Sequence, residues 1–280
     1  MDEGCFPDHS EIKIQHVFFY FLFFIKEILI RIQLVEKVNE MRYLLGIDDT
    51  DNLESRGTGH RVRQLADWLA ENRLASPLGI TRHQLLVDPG IPYTSHNSSA
   101  CLVVETENAD DVWNATRAFL LRESAVGSDA GLCLAEWNSI SAEVLDFGRK
   151  AKLEVLTMPA AEQTASRSKI RCEGLTGTHG GIIGALSAIG LHRAGNDGRY
   201  LWLPGLRDLN GKYQVEEICT KGHVDRVCTV ENVDLTAETS VDVGEWIRPI
   251  LRDGKATLFV EEKNNEWHII SKDRIKSLSN

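Results

Sequence analysis

Three aspartates, Asp48, Asp49 and Asp51, fall within four residues at the end of the apolar run Tyr43-Leu-Leu-Gly-Ile47. Carboxylates this close repel one another unless a cation sits among them. Oxygen ligands suit Mg²⁺, which is usually held by one or two carboxylates together with substrate phosphates. Arg56-Gly-Thr-Gly-His60 follows and opens a helical pattern. Main-chain N–H groups of a glycine loop at a helix N-terminus attract anions. Metal-binding acids beside an anion loop describe a site for a nucleotide or phosphate ester. Asp48, Asp49 and Asp51 are therefore candidate metal ligands, and Arg56, Gly57 and Gly59 candidate phosphate contacts. The plain alternative is a solvated acidic turn.

Three standard motifs are excluded. No G-x-x-x-x-G-K-[ST] run occurs, so this is not a Walker-type NTPase. An EF-hand loop starting at Asp49 would put Leu53 and Glu54 where an oxygen ligand and a glycine are needed. A phosphohydrolase of the haloacid dehalogenase type would want threonine where Leu53 stands.

A second polar stretch holds Arg82, His83, Asp88, Tyr93, His96 and Asn97, in and around the turn-rich loop DPGIPYTSHNS. Histidines beside hydroxyls and an amide can orient a substrate or move a proton. Each residue alone also reads as ordinary loop surface. A third stretch is rich in glycine, with six glycines between Gly174 and Gly190. His179 within it faces two readings, phosphate contact through its backbone neighbours or a tight turn before a closely packed helix.

The elements that must carry these residues follow from periodicity. Tyr43–Asp48 reads as a buried strand and His60–Leu74 as an amphipathic helix. Leu78–Val87 and Ala100–Glu105 read as strands. Ala109–Glu123 has helical spacing with Asn108 as its cap. Leu132–Ala135 reads as a strand, Ile140–Lys150 and Ile182–Leu191 as helices, and Tyr200–Leu203 as a strand. Lys255–Glu262 and Glu266–Ile270 read as a hairpin. The expected class is α/β: a mixed sheet with flanking helices, plus a small strand-rich C-terminal segment.

The chain has 280 residues, 31 basic and 41 acidic, for a formal net charge of -10. Such an acidic whole does not suit a protein that grips duplex nucleic acid through its overall field. Six cysteines occur without a Cys-x-x-Cys pair, which argues against a zinc ribbon and is read as buried free thiols in a reducing cytoplasm.

Residues 1–40 differ from the rest. Val17–Ile25 is nine apolar residues in a row, then Lys26 and Glu27 interrupt. A membrane span needs about 20 apolar residues. Acids precede the run and no small-residue cleavage site follows it, so it does not read as a signal peptide either. Met41 looks like a natural domain start. Residues 1–40 are read as an upstream extension, not translated in the cell, in preference to a membrane anchor.

GIDDTD, the Arg-Gly that follows, Pro89-Gly-Ile-Pro92-Tyr93 and Gly180-Gly-Ile-Ile-Gly184, in this order, resemble the kinase-like ATP-binding domain of the archaeal tRNA agmatinylcytidine synthetases. The resemblance runs from Met41 to about residue 220. It implies ATP and Mg²⁺ as cofactors, and phosphorylation of a tRNA cytidine that agmatine then attacks. It adds Thr50, Tyr93, Asn97, Gly180 and Gly181 as nucleotide contacts and His96 as a catalytic residue. It also implies a phosphorylated threonine in a Cys-Thr-Thr run. Here Thr58, Gly59, His60 and Arg61 stand there, so His60 replaces that threonine and Thr58 is the other candidate. The zinc ribbon and a recognisable tRNA-binding domain are absent from the sequence.

The expected organisation is an N-terminal extension (1–40), a kinase-like nucleotide-binding domain (41–220) and a strand-rich segment (221–280). The expected activity is Mg-ATP-dependent phosphotransfer, or a ligase-like reaction, on an RNA base or a small amide-like acceptor in the cytoplasm, with weak direct tRNA binding. The alternatives are a nucleotide-binding regulatory module without turnover and a membrane-tethered protein using residues 17–34.

Overall fold

The computed structural model describes residues 41–91 and 96–279. The 1–40 extension, its apolar run and Tyr93 lie outside the described residues.

Strand β1 (Arg42–Asp48) is the pivot of the fold. Its side chains alternate between two faces, as the pleat requires. Leu45 and Ile47 pack with Val62, Leu65 and Leu69 of α1 (Thr58–Glu71) and Val112, Trp113 and Leu120 of α2 (Ala109–Glu123). Leu44 faces the other way, onto α3 (Ala142–Lys150) and α5 (Ile182–Ala194). α2 spans the expected residues, and the Asn108 side chain accepts a hydrogen bond from the Asp111 N–H.

β1 lies between β3 (Ser98–Glu105) and β4 (Gly131–Glu136), antiparallel to both. β2 (Ser76–Gln84) adds antiparallel to β3, and β5 (Arg171–Gly174) antiparallel to β4. β6 (Arg199–Trp202) pairs with β2 and carries the sheet onward. Beyond it stand β10 (Ile250–Arg252), β11 (Lys255–Lys263), β12 (Glu266–Ile269), β9 (Ser240–Asp242) and β7 (Lys212–Gln214), with β8 (Arg226–Thr229) parallel to β11. Twelve strands in one mixed sheet match the expected α/β class. The expected hairpin is β11–β12; Asn264 and Asn265 turn it with φ of 52° and 61°, a conformation asparagine tolerates.

A second apolar core lies under this later part, built from Leu206, Ile218, Val241, Leu258 and Val260 around α6 (Val215–Gly222). α4 (Met158–Arg167) and α7 (Lys272–Leu278) complete the helices among the described residues. None of them is long and apolar enough to cross a membrane.

One expectation is corrected. Cys133 and Cys172 are directly opposed across β4 and β5 and are joined by a disulfide. Strand register brings them together across 39 residues of sequence, so their spacing gave no sign of it. Cys101, Cys219 and Cys228 are free.

Candidate nucleotide and metal site

Antiparallel pairing decides where the site forms. The end of β1 stands beside the starts of β3 and β4: Ile47 is opposite Ala100 and Asp48 opposite Gly131. The ends of β2 and β5 reach the same edge, with Gln84 opposite Ser98 and Gly174 opposite Gly131. Segments adjoining five strands therefore meet at one rim: 49–57, 85–91, 96–97, 124–130 and 175–181.

Asp48 shares its face of β1 with Gly46, toward α5. A Cβ on Gly46 would stand 1.9 Å from the Ala185 carbonyl oxygen, and one on Gly184 1.7 Å from Asp48 Oδ2. The glycines of α5 thus let the helix lie against β1 and leave room for the Asp48 carboxylate. Burial, then the charge of Asp49, pushes the Asp48 carboxyl up to about 8. Asp49 takes the left-handed conformation, with φ of 49°. Burial and the charges of Asp129 and Asp51 push its carboxyl up to about 6.

Asp48, Asp49 and Asp51 line one cavity of about 290 Å³, together with Asp129, His96, Asn97, Gly180 and Gly181. Apolar side chains, Leu85, Val155, Leu156, Met158 and Ile183, also line it. Asp129 was not identified from sequence. It precedes β4, and only the β1–β4 pairing sets it beside Asp49, whose carbonyl accepts its N–H at 3.2 Å. Thr178 donates to Asp129 Oδ2 at 2.5 Å, whereas buried Asp129 Oδ1 has no hydrogen-bond partner.

These donors fit Mg²⁺. All are oxygens, they raise one another's pKa, and one is buried without a partner. Among the described residues no three acidic, histidine or cysteine side chains form a ready-made metal cage. The acids stand along one side of the cavity, and Mg²⁺ is commonly held by one or two carboxylates with substrate phosphates as its other ligands.

A second cavity, of about 440 Å³, is lined by Arg56, Gly57, Gly59, His60, Arg63 and Arg82. Asp51, His96 and Ser98 line both cavities. Burial and the charges of Arg56, Arg63 and Arg61 hold the His60 ring below the usual histidine range. Burial and the charges of Arg82, Arg199 and Lys276 do the same to His96. Both shifts favour the neutral ring.

Not every expected residue reaches the rim. Thr50 is 1% exposed; its N–H and hydroxyl meet Thr58 Oγ1 at 3.1 and 3.2 Å, so it braces the loop and touches no ligand space. Thr58 lines the second cavity but is 6% exposed, and its hydroxyl donates to Asp51 Oδ1 at 2.8 Å. His83 turns inward. Its Nδ1 meets Asp197 at 2.9 Å and its Nε2 meets the Thr81 hydroxyl, which also meets His192 Nδ1 at 2.7 Å. Lys152 pairs with the other Asp197 oxygen, completing a buried polar chain that sequence did not reveal. Asn97, which does line the first cavity, also has a structural bond, its Nδ2 donating to the Leu86 carbonyl at 2.6 Å. His179 has φ of 72° and lines neither cavity.

Part of the chain is similar to known proteins. Over 163 residues the chain is 27% identical to TiaS of Saccharolobus islandicus, the 2-agmatinylcytidine synthetase of an isoleucine tRNA. The match takes in 54% of this chain and 36% of that protein, so this chain spans about a third of its relative's length. The TiaS-like resemblance drawn from the motifs is thus matched over about half the chain. No family model matches the chain. Among solved structures, the complex of TiaS with its isoleucine tRNA and ATP is 22% identical, with a TM-score of 0.48, covering 54% of this chain and 36% of that one. The complex of TiaS with the tRNA, AMPCPP and agmatine is 22% identical with a TM-score of 0.47, over the same shares.

Proposed function

We propose that this chain is the ATP-handling core of an RNA-modifying enzyme, acting by phosphotransfer or a ligase-like reaction on an RNA base or a small amide-like acceptor. Residues 41–220 carry the nucleotide site. Asp48, Asp49 and Asp51, joined by Asp129, hold Mg²⁺; Arg56, Gly57 and Gly59 hold phosphate oxygens. Bound Mg²⁺ supplies neutralisation of phosphate charge. The chain's own part is to align the phosphates between the two cavities and to present the half-buried His60 and the exposed His96 in neutral form. Such catalysis is positioning plus charge stabilisation.

The observation that carries this reading is the shared rim: one carboxylate, Asp51, and one imidazole, His96, border both the acid cavity and the arginine pocket. The test is Mg²⁺-dependent binding of a fluorescent ATP analogue, followed by single-turnover ATP hydrolysis. Binding with turnover supports an enzyme. Binding without turnover supports the second reading, a regulatory nucleotide-binding module, which the engaged Thr58 hydroxyl favours. No Mg²⁺-dependent binding overturns both.

A further inference from the structure

Five arginines gather among the described residues of this acidic chain. Arg82 on β2 and Arg199 on β6 are direct cross-strand partners. Like charges opposed on a sheet destabilise it. Arg248, just before β10, extends the group. Its guanidinium lies over the Trp246 ring, 5.0 Å from the centroid, and donates to the Ile247 carbonyl at 2.7 Å. The charges of Arg207 and Arg56 bear on Arg63, and those of Arg207, Arg63 and Arg199 bear on Arg248. Arg63 of α1 and Arg82 of β2 thus line the second cavity, Arg199 of β6 is paired with Arg82, and Arg207 and Arg248 are near enough for charge to act between them and Arg63.

Arg63, Arg82, Arg199 and Arg248 are half-buried, and Arg207 is exposed beside them. Among the described residues, none of the five forms an ion pair with a carboxylate. Elsewhere among the described residues eight arginines form such pairs, Arg117 with Glu173 at 2.8 Å and Arg171 with Asp110 at 2.9 Å among them, while half-buried Arg193 and Arg252 donate to the Trp137 and Leu278 carbonyls instead. Half-buried cations normally have a partner. Arg82 donates to the Ser98 hydroxyl at 2.9 Å, and the charges of Asp51 and Asp67 favour charged Arg82 and Arg63, but two carboxylates acting on five guanidinium groups leave the cluster a positive surplus.

We propose that Arg63, Arg82, Arg199, Arg207 and Arg248 bind the phosphate groups of the second substrate, a phosphate ester presented by a free nucleotide or by an RNA strand. The proposal rests on the nucleotide reading, in which the ATP phosphates lie between the acid wall and Arg56, Gly57 and Gly59; Arg63 and Arg82 line the same second cavity and the other three arginines adjoin them. Guanidinium forks match phosphate oxygens in bidentate pairs. Arg199, Arg207 and Arg248 lie too far along the chain to belong to the Asp48–His60 motif, so the later strands contribute to recognition.

The experiment keeps the ATP site filled with a non-hydrolysable Mg-ATP analogue. Two probes are then added separately: a fluorescein-labelled ten-nucleotide single-stranded RNA, and inorganic pyrophosphate. Arg207→Gln and Arg199→Gln should each weaken the probe that binds by about tenfold. Binding of the fluorescent ATP analogue, measured separately, should be unchanged. Arg199→Gln should also raise the melting temperature, because it relieves the repulsion by Arg82; a purely structural arginine would lower it. RNA binding names an RNA strand as the source, and pyrophosphate binding without RNA binding names a small phosphate ester. The proposal is overturned if neither probe binds, or if both variants bind like wild type. It is also overturned if the variants weaken the ATP analogue in step with the probe, since the arginines would then serve ATP itself. Failure of the ATP analogue to bind wild type at all would instead count against the nucleotide reading.

Discussion

Asp51 Oδ1 accepts both the main-chain N–H of Thr58, at 2.9 Å, and its hydroxyl, at 2.8 Å. Gly57, at the N-cap position of α1, has no side chain to do this. Asp51 is thus the cap of α1, supplied from the preceding loop. Asp51→Ala should destabilise the fold by about 1–2 kcal/mol, the usual cost of a lost cap. Asp51→Asn keeps an acceptor and should cost less. Urea denaturation of both variants checks this, and an Asp51→Ala protein as stable as wild type would remove the capping role.

Asp49 should behave differently. Its left-handed φ of 49° is one that asparagine adopts easily. Asp49→Asn therefore keeps the backbone, relieves repulsion with Asp129 and Asp51, and removes a charge from the metal wall. Stability should stay within about 0.5 kcal/mol of wild type. Mg-nucleotide binding should weaken at least about tenfold. Titration with the fluorescent ATP analogue decides; an unchanged dissociation constant refutes Asp49 as a ligand.

How much of this could be read from sequence depends on how local the cause is. α2 and its Asn108 cap, the apolar alternation of β1 and the Asn264-Asn265 hairpin turn are fixed by neighbours in the chain, and all were legible. Asp129 was not legible, because its place beside Asp49 depends on β4 pairing antiparallel to β1 from some 80 residues away. The rule for parallel sheets puts ligands at the carboxyl ends of the strands. In this mixed sheet the edge is the carboxyl end of β1 but the amino ends of β3 and β4, which is why the loops before those strands supply His96, Asn97 and Asp129. α4 was missed because its buried face is only Ala161, Thr164 and Ala165, too small to give an apolar stripe.

The buried chain from Lys152 through Asp197, His83 and Thr81 to His192 predicts acid sensitivity. Burial, then the charges of His83, Arg193 and Arg42, holds His192 down to about 3, against an ordinary 6.5. Between those values the unfolded chain takes up a proton that the folded one refuses, so stability falls as pH drops below about 6.5. Burial pushes Asp197 up, but the hydrogen bonds and charges of His83 and Lys152 offset this and hold it below the usual carboxylate range. Its contribution is present above the ordinary carboxylate pKa and is lost as pH falls through the lower folded value, in the same direction. The loss from His192 should approach about 1.4 kcal/mol per pH unit. His192→Gln should flatten the dependence of unfolding free energy on pH between about 6.5 and 4. A variant with the wild-type slope would show that His192 is not the titrating group.

Overall charge sets the strength of RNA binding. A net charge of -10 opposes a polyanion, and an arginine cluster can neutralise only a few phosphates. We expect a whole tRNA to bind with a dissociation constant of about 1 μM or weaker at physiological salt, weakening further as salt rises. Filter binding across a salt series measures this. Submicromolar binding of one tRNA at physiological salt would overturn the expectation.

His60 is the position where Thr58 and imidazole chemistry compete. The Thr58 hydroxyl gives its hydrogen to Asp51 and accepts from the N–H and hydroxyl of Thr50, so its bonding directions are all taken up within the loop. The half-buried His60 ring borders the second cavity, and burial with three nearby arginines favours its neutral form. A neutral ring nitrogen can attack the γ-phosphorus of ATP. A nitrogen–phosphorus bond forms, the bond to the bridging oxygen breaks, ADP leaves with that electron pair, and the ring gives up its proton to solvent. The same ring can instead donate a hydrogen bond to a phosphate oxygen without becoming phosphorylated. Incubation with γ-labelled ATP separates the two. Label that survives neutral gel filtration but is lost in acid is phosphohistidine; it should vanish in His60→Ala and persist in Thr58→Val. Label that survives acid points to Thr58 and overturns the assignment. No label, with ATP turnover in His60→Ala reduced about a hundredfold, leaves the hydrogen-bonding role, a magnitude typical of one lost transition-state contact. Full turnover in His60→Ala leaves this histidine no part in the chemistry.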